Sequence, residues 1–161
     1  MRMPDGHSCR ASLGSALLAI LLLCAGCQTA TKSLFTASGP GWRVQEGQAL
    51  WCPGRDLPEI GGDLVLAMHE DGRCLVQFDK TPLSLVSVQT IRTEWLIRFP
   101  PRRMGFSGRG PGPTRFAWLY LHTALAGEPL PPPLQFERKP DGSWRLANPR
   151  TGETLEGKFF P

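Results

Sequence analysis

Reactive side chains are scarce in this chain of 161 residues, which contains 3 His and 5 Cys. Only His69 and His122 lie beyond the first 26 residues, and residues 27–161 contain no Cys-x-x-Cys or His-x-x-x-His spacing. Metal sites in proteins need several such ligands at short spacing. The sequence therefore predicts neither a metal site nor a cofactor.

Signatures of catalysis are also missing. The segment Gly105-Phe-Ser-Gly108 approaches the Gly-x-Ser-x-Gly nucleophile elbow, but Arg109 stands where the last glycine is required. The segment is therefore predicted to be a plain loop. Among the carboxylates, Glu153 and Glu156 fall on a predicted terminal strand, and no pair has an evident reason to be buried. We expect no catalytic residue and no enzymatic activity.

Basic residues are in modest excess, with 18 Lys and Arg against 14 Asp and Glu. No motif combines basic with stacking aromatic residues, so nucleic acid is not an expected partner. The densest basic stretch contains Arg98, Arg102, Arg103, Arg109 and Arg115. This stretch is either a solvated face or a contact for anionic lipid head groups, which attract a nearby basic residue by up to about 1 kcal/mol.

The N-terminus has the pattern of an export signal. An apolar run from Ala11 to Cys24 follows Arg2 and Arg10, and Ala25-Gly26-Cys27 supplies small residues at its end. The run is shorter than the roughly 20 residues that cross a bilayer. This pattern resembles the signal of bacterial lipoproteins, which implies a signal peptide over residues 1–26 and lipidation of Cys27. Ordinary secretory cleavage and retention of the segment are the alternatives.

The remaining chain has the length of one domain. Residues 27–41 are mostly small and polar, and they are predicted to be a flexible tether that reaches about 45 Å when extended. Residues 42–161 are predicted to form a single β-rich domain. A pair of cysteines in an oxidising compartment suggests a disulfide. However, in a meander Cys52 would lie near the start of the second strand and Cys74 near its far end. The length of the strand would hold the two thiols too far apart for a disulfide, which favours two free thiols.

Strand patterns dominate residues 42–161. Asp71-Gly72 separates two runs with apolar residues at alternate positions, which is a strong hairpin signal. The Gly- and Pro-rich run 107–113 is predicted to be a loop. We expect about nine antiparallel strands, with strand-like runs at 47–51, 63–70, 73–80, 83–91, 94–99, 134–139, 143–147 and 153–160.

One helix is predicted near residues 114–126, between Pro113 and the helix-stopping Gly127. Apolar side chains surround this helix, so it should contact apolar groups on two sides. Phe116, Leu119 and Tyr120 point one way, and Trp118, Leu121 and Leu125 point the other. The chain also contains 5 Trp, including Trp95, and these either fill the core or line a lipid-binding cavity.

The stretch from Arg73 to Gln89, with its Pro82-Leu83 pair, resembles the central strand, Pro-Leu loop and following strand of the LolB family. These are outer-membrane lipoproteins that receive and insert other lipoproteins. A helix with Trp118-Leu119, a Pro-rich connection and a strand opening at Asp141-Gly-Ser-Trp144 follow in the same order. The resemblance, which extends to the related carrier LolA, covers roughly residues 62–158.

This resemblance implies an incomplete antiparallel β-barrel, or half-barrel, whose apolar concavity shelters acyl chains under a lid-like helix near 114–126. The residues expected at the cavity and lid are Phe116, Trp118, Leu119, Leu121, Leu125 and Trp95. In the family, an exposed apolar residue of the Pro-Leu loop enters the membrane, and the matching position here is Leu83. Core packing of Leu83 as the first residue of a strand is the alternative from the sequence alone.

The sequence thus predicts a membrane-anchored, non-enzymatic bacterial lipoprotein that binds acyl chains or lipoproteins and helps their localisation. Its expected partners are membrane lipid through Cys27, acyl chains of other lipoproteins and a periplasmic carrier. Gln28 follows Cys27 where an aspartate would signal retention, so resemblance to enterobacterial sorting implies the periplasmic face of the outer membrane. The alternative is an envelope module that binds only protein and carries no lipid.

Overall fold

Nine antiparallel strands form one open sheet in the computed structural model, which describes residues 33–161. The strands are β1 (Trp42–Cys52), β2 (Ile60–His69), β3 (Arg73–Lys80), β4 (Leu83–Ile91), β5 (Glu94–Phe99), β6 (Met104–Arg109), β7 (Gln135–Arg138), β8 (Trp144–Asn148) and β9 (Glu153–Phe159). Their order across the sheet is β6-β5-β4-β3-β2-β1-β9-β8-β7. Over residues 33–161, the predicted fold class, a mainly β half-barrel of about nine antiparallel strands with a single helix, is confirmed.

The long first strand joins the two halves of the sheet. Residues 42–51 of β1 pair with β2, and residues 47–52 pair with β9 on the other edge. All other neighbours in the sheet are consecutive in the chain. The C-terminal strands β7 to β9 therefore extend the N-terminal meander through β1 alone.

Alternation along the strands places the apolar residues on one face, which we call the concave face. On β3, for example, Cys74, Val76 and Phe78 are buried, and the residues between them are half-buried. This is the period of two that a strand with one buried face requires. Residues 33–161 form one compact unit, and its core is built from the concave face and the segment that covers it.

The predicted helix over 114–126 is shorter than expected and begins later. A 3-10 helical turn spans Ala117–Tyr120, and an α-helix, α1, spans Leu121–Leu125. Phe116 is extended, with φ −112° and ψ 89°, because the chain makes a separate turn after Pro113. We call residues 117–125 the plug. It ends before Gly127, whose φ of 76° suits the residue that stops a helix.

The prediction of a plain loop over residues 105–108 is wrong, and the predicted loop 107–113 is wrong at its start, because β6 spans Met104–Arg109. Gly108, one of the glycines that suggested a loop, is needed in this strand for close packing. A Cβ atom added to Gly108 would lie 2.7 Å from Cζ2 of Trp95 on the neighbouring strand. Glycine inside a strand often marks such a close approach.

Part of the predicted tether lies on the opposite, convex face of the sheet. The buried amide of Gln89 accepts a hydrogen bond from the backbone N–H of Leu34 at 2.8 Å and donates one to the carbonyl of Phe35 at 3.1 Å. The Arg73 guanidinium lies 5.7 Å from the centre of the Phe35 ring. Residues 33–35 are therefore held against the sheet.

Cys52 and Cys74 are both free thiols, as their strand positions favoured. Burial raises the pKa of Cys74 to about 12, partly opposed by a hydrogen bond with Thr90. A thiol that stays protonated is a poor nucleophile. The predicted lipidation site Cys27 and the predicted signal peptide lie outside the described residues.

Truncation of the plug tests how firmly it is packed. Leu121 is fully buried, so we expect Leu121→Ala to lower the free energy of unfolding by about 2–5 kcal/mol, as in other close-packed cores. Leu57→Ala is the matched control, because Leu57 is 50% exposed and its truncation should cost under about 0.5 kcal/mol. Urea denaturation measures both. Equal, small losses would mean that the plug is a loose lid over open space.

Candidate functional site

The plug fills the concavity that was predicted to hold acyl chains. Trp118 and Leu121 are fully buried, and Leu119 is only 4% exposed. The Trp118 ring centre lies 5.1 Å from that of Phe78 and 5.8 Å from that of Trp51. These distances are typical of packed aromatic pairs. Three of the predicted cavity and lid residues are therefore part of the hydrophobic core.

The other cavity and lid candidates lie at the margins of the plug. Phe116 is half-buried, and its ring centre lies 5.0 Å from that of Phe106 on the edge strand β6. Leu125 and Trp95 are also half-buried and pack against the core. The structure thus brings all six candidates to the concave side, where they contact protein.

A small cavity of about 260 Å³ lies beside the plug, and Trp95, Leu119 and His122 contribute to its lining. Burial lowers the pKa of His122 and so favours the neutral imidazole, although Glu128 opposes this effect. Pockets that bind small molecules usually measure about 300–1,000 Å³. This cavity falls below that range and is not a site for a long acyl chain with the plug in place.

A buried carboxylate joins the plug to the sheet. Glu153 on β9 is 4% exposed and accepts hydrogen bonds from Nε1 of Trp51 at 3.1 Å and from the backbone N–H of Ala117 at 2.8 Å. Burial raises its pKa to about 7, although these two hydrogen bonds oppose the shift. Of the two carboxylates on this strand, Glu153 is buried and Glu156 is partly exposed, and the burial of Glu153 alone was not predicted. The sequence signal for this burial was the spacing of Glu153 and Leu155, which are two residues apart and therefore share one face of the strand.

Asn148 supports the same junction from the neighbouring strand. It lies opposite Glu153 in the β8–β9 register and is 1% exposed. Its amide donates to the carbonyl of Thr114 at 2.8 Å, and its Oδ1 accepts from the backbone N–H of Arg150 at 3.0 Å. The β8–β9 hairpin therefore holds both the first turn of the plug and the segment that leads into it.

Leu83 is exposed at one end of the sheet. It is 58% exposed, so it does not pack in the core. Antiparallel pairing places the β1–β2, β3–β4 and β5–β6 connections at this same end, which we call the rim. Leu57 and Met104, which are 50% and 42% exposed, also lie at the rim. Within residues 33–161, the β2–β3 and β4–β5 turns at the opposite end contain no large exposed apolar residue.

Basic residues accompany the exposed apolar side chains at the rim. Arg102 and Arg103 are exposed in and after a 3-10 helical turn, Pro100–Arg102, that packs against β4. Lys80 precedes Leu83 by three residues and is exposed as well. The rim also carries Arg55 and the carboxylates of Asp56 and Glu59. Its net charge is positive.

The predicted arginine stretch does not form one patch. Arg98 is half-buried near the rim, but Arg109 lies at the other end of β6 and pairs with Glu94 at 2.9 Å. Arg115 stacks over the Phe116 ring at 4.8 Å from its centre. Of the predicted head-group contacts, the structure therefore brings only Arg102, Arg103 and the nearby Arg98 to the end that carries Leu83.

Within residues 33–161, no group of three or more His, Cys, Asp or Glu side chains is arranged to hold a metal ion. The same part of the chain contains no helix with the length and hydropathy needed to cross a membrane. The chain matches no protein-family model, and no curated protein or solved structure is significantly similar to it.

The raised pKa of Glu153 predicts how stability depends on pH. The carboxyl titrates near its ordinary value of 4.5 in the unfolded chain and at about 7 in the folded protein. Between these values the folded state binds the proton more firmly, so the free energy of unfolding falls as the pH rises. The loss reaches up to about 3 kcal/mol and levels off above about pH 7.

Glu153→Gln removes the titrating group, so this part of the pH dependence should disappear. Glu156→Gln is the matched control, because Glu156 lies on the same strand with its side chain 41% exposed. Urea denaturation at about pH 5, 6, 7 and 8 measures the slopes. If Glu153→Gln loses as much stability across this range as the unmodified protein, the buried carboxylate does not titrate as described.

Proposed function

We propose that this protein is a lipid-anchored, non-enzymatic protein of the cell envelope that docks the rim of its sheet on a membrane surface. The observation that carries the proposal is the 58% exposure of Leu83 at an end of the sheet that also presents Met104, Arg102 and Arg103. Large apolar side chains gathered at one exposed end mark a contact surface.

Two kinds of interaction contribute to the binding free energy of such a contact, and each contribution is modest. Burial of a leucine side chain contributes about 1.5–3 kcal/mol, and a basic residue near an anionic membrane contributes about 1 kcal/mol. Stable membrane attachment generally needs two signals. The proposed second signal is the acyl group on Cys27, with the periplasmic face of the outer membrane as the proposed location.

In a LolB-like role, the protein would handle acyl chains, or other lipoproteins delivered by a periplasmic carrier. This role is part of the proposal only if the plug moves. With Trp118 and Leu121 fully buried and only a small cavity beside them, the concave side has no room for a long acyl chain. An acyl chain would have to displace the plug from the contacts made by Glu153 and Asn148.

The filled concave face favours a second candidate, a membrane-docked module that binds protein and carries no lipid cargo. Native mass spectrometry of the purified protein separates the two functions. Co-purified lipid or lipopeptide would support the carrier, and an empty protein would support the interaction module.

Membrane docking predicts that Leu83→Glu and Met104→Glu each weaken binding to vesicles of phosphatidylglycerol and phosphatidylcholine. A charge cannot enter the acyl region without a large desolvation cost. The melting temperature should stay unchanged, because both side chains are exposed in the folded protein. Vesicle co-sedimentation of the unit 33–161 measures this contact without the lipid anchor.

Val44→Glu is the control, because Val44 is 55% exposed but lies on β1, away from the rim. It should bind vesicles as the unmodified protein does. Equal binding by all three variants would contradict docking through the rim.

A further inference from the structure

A groove of about 590 Å³ crosses the convex face of the sheet, on the side opposite the plug. Gln48 and Leu50 of β1 belong to its lining, and they alternate with the buried Ala49 and Trp51 of the concave face. The groove runs from Thr81 in the β3–β4 turn, across β2, β1 and β9, to the β7–β8 turn. Its volume lies in the range of small-molecule sites.

The strand register defines the two walls of the groove. Residues directly opposite each other on neighbouring strands share one face of the sheet. One wall is the row Gly61, Leu50 and Glu156, and the other is the row Asp63, Gln48 and Lys158. The backbone between these rows, at Gly62, Ala49 and Gly157, forms the floor.

Glycine keeps the groove open in the middle. Gly61 carries no side chain on its wall, and a Cβ atom built there would lie 3.4 Å from Cδ2 of Leu50, in ordinary contact. A larger side chain at this position would therefore extend into the groove without a clash at its first atom. Gly61 is thus a position where the groove can be filled while the strand is kept.

Lysines lie at both ends of the groove. Lys139 and Lys158 line one end and Lys80 lines the other. Within residues 33–161 none of these three forms an ion pair, although the exposed Asp141 attracts Lys139 and Lys158. The positive charge of these side chains is therefore available to a ligand.

The two carboxylates of the walls, on Glu156 and Asp63, differ in whether they form an ion pair. Glu156 is neutralised by Arg145, with Nε and Oε1 at 2.7 Å. Asp63 has no such partner among the described residues, and it lies next to the amide of Gln48 in the register. Asp63 and Gln48 can accept hydrogen bonds from hydroxyl groups.

We propose that this groove binds the phosphate-bearing head group of an anionic lipid. The lysines would hold phosphate, for which lysine is a common point-charge ligand. Asp63 and Gln48 would accept hydrogen bonds from hydroxyl groups of the head group, and Leu50 would contact its carbon atoms. The inference rests on membrane docking, because the groove opens at Lys80 and Thr81, beside the β3–β4 turn that Leu83 follows.

The test is calorimetric titration of the unit 33–161 with glycerophosphoglycerol, a soluble head group, and with phosphatidylglycerol vesicles. Lys139→Gln/Lys158→Gln should weaken binding of the soluble head group at least about tenfold, and Gly61→Phe should weaken it similarly by filling the groove. Arg43→Gln/Arg92→Gln removes the same charge from exposed positions outside the groove and should bind as the unmodified protein does.

Leu83→Glu separates this inference from membrane docking. It should keep its affinity for the soluble head group and lose binding to vesicles. Unchanged head-group binding by both groove variants, or none by the unmodified protein, would overturn the groove site while docking stands. Equally strong binding of inorganic phosphate would show a simple phosphate site and overturn the head-group assignment. Full vesicle binding by Leu83→Glu would contradict docking itself.

Discussion

The carboxylate of Glu153 links three parts of the chain that are far apart in sequence. It lies on β9 and accepts hydrogen bonds from Trp51 on β1 and from Ala117 at the start of the plug. The open sheet ends at β6 and β7, which do not pair with each other. The chain between these strands therefore has to cover the concave face, and Glu153 fixes where it begins to do so.

A covered concave face changes what the half-barrel can do. In a half-barrel with an empty interior, the aromatic side chains of the strands would be free to contact a ligand. Here Phe78 and Trp51 contact Trp118 of the plug. The surfaces left for function are consequently outside the barrel: the rim, with its exposed apolar and basic residues, and the convex face with its groove.

Local pattern predicted the parts of the fold that depend on local chemistry. Alternation gave most strands, and Asp71-Gly72 lies in the hairpin turn between β2 and β3. The helix was predicted too long because its start is set by Glu153, a partner 36 residues away that no periodicity reveals. Strand β6 was mistaken in part for a loop because its Gly108 is explained only by the neighbouring Trp95.

The candidate site, like the fold, was predicted only where it depends on local sequence pattern. The all-round apolar character of the plug correctly indicated contacts on two sides, but sequence could not distinguish a packed plug from a lid over a cavity. The orientation of Leu83 was open for a similar reason, since a residue that follows a Pro-containing turn can face either way. The grouping of Leu83 with Met104 depends on the antiparallel pairing of β4, β5 and β6, which brings the start of β4 and the start of β6 to the same end of the sheet.

Hydrogen–deuterium exchange on vesicles of phosphatidylglycerol and phosphatidylcholine tests most directly whether the rim faces the membrane. Docking through the rim predicts that backbone amides at residues 81–84 and 102–104 become protected when vesicles are added, while those at residues 70–72 and 92–94, at the opposite end, exchange at unchanged rates. Protection at the opposite end, or at neither end when the protein is bound, would contradict it.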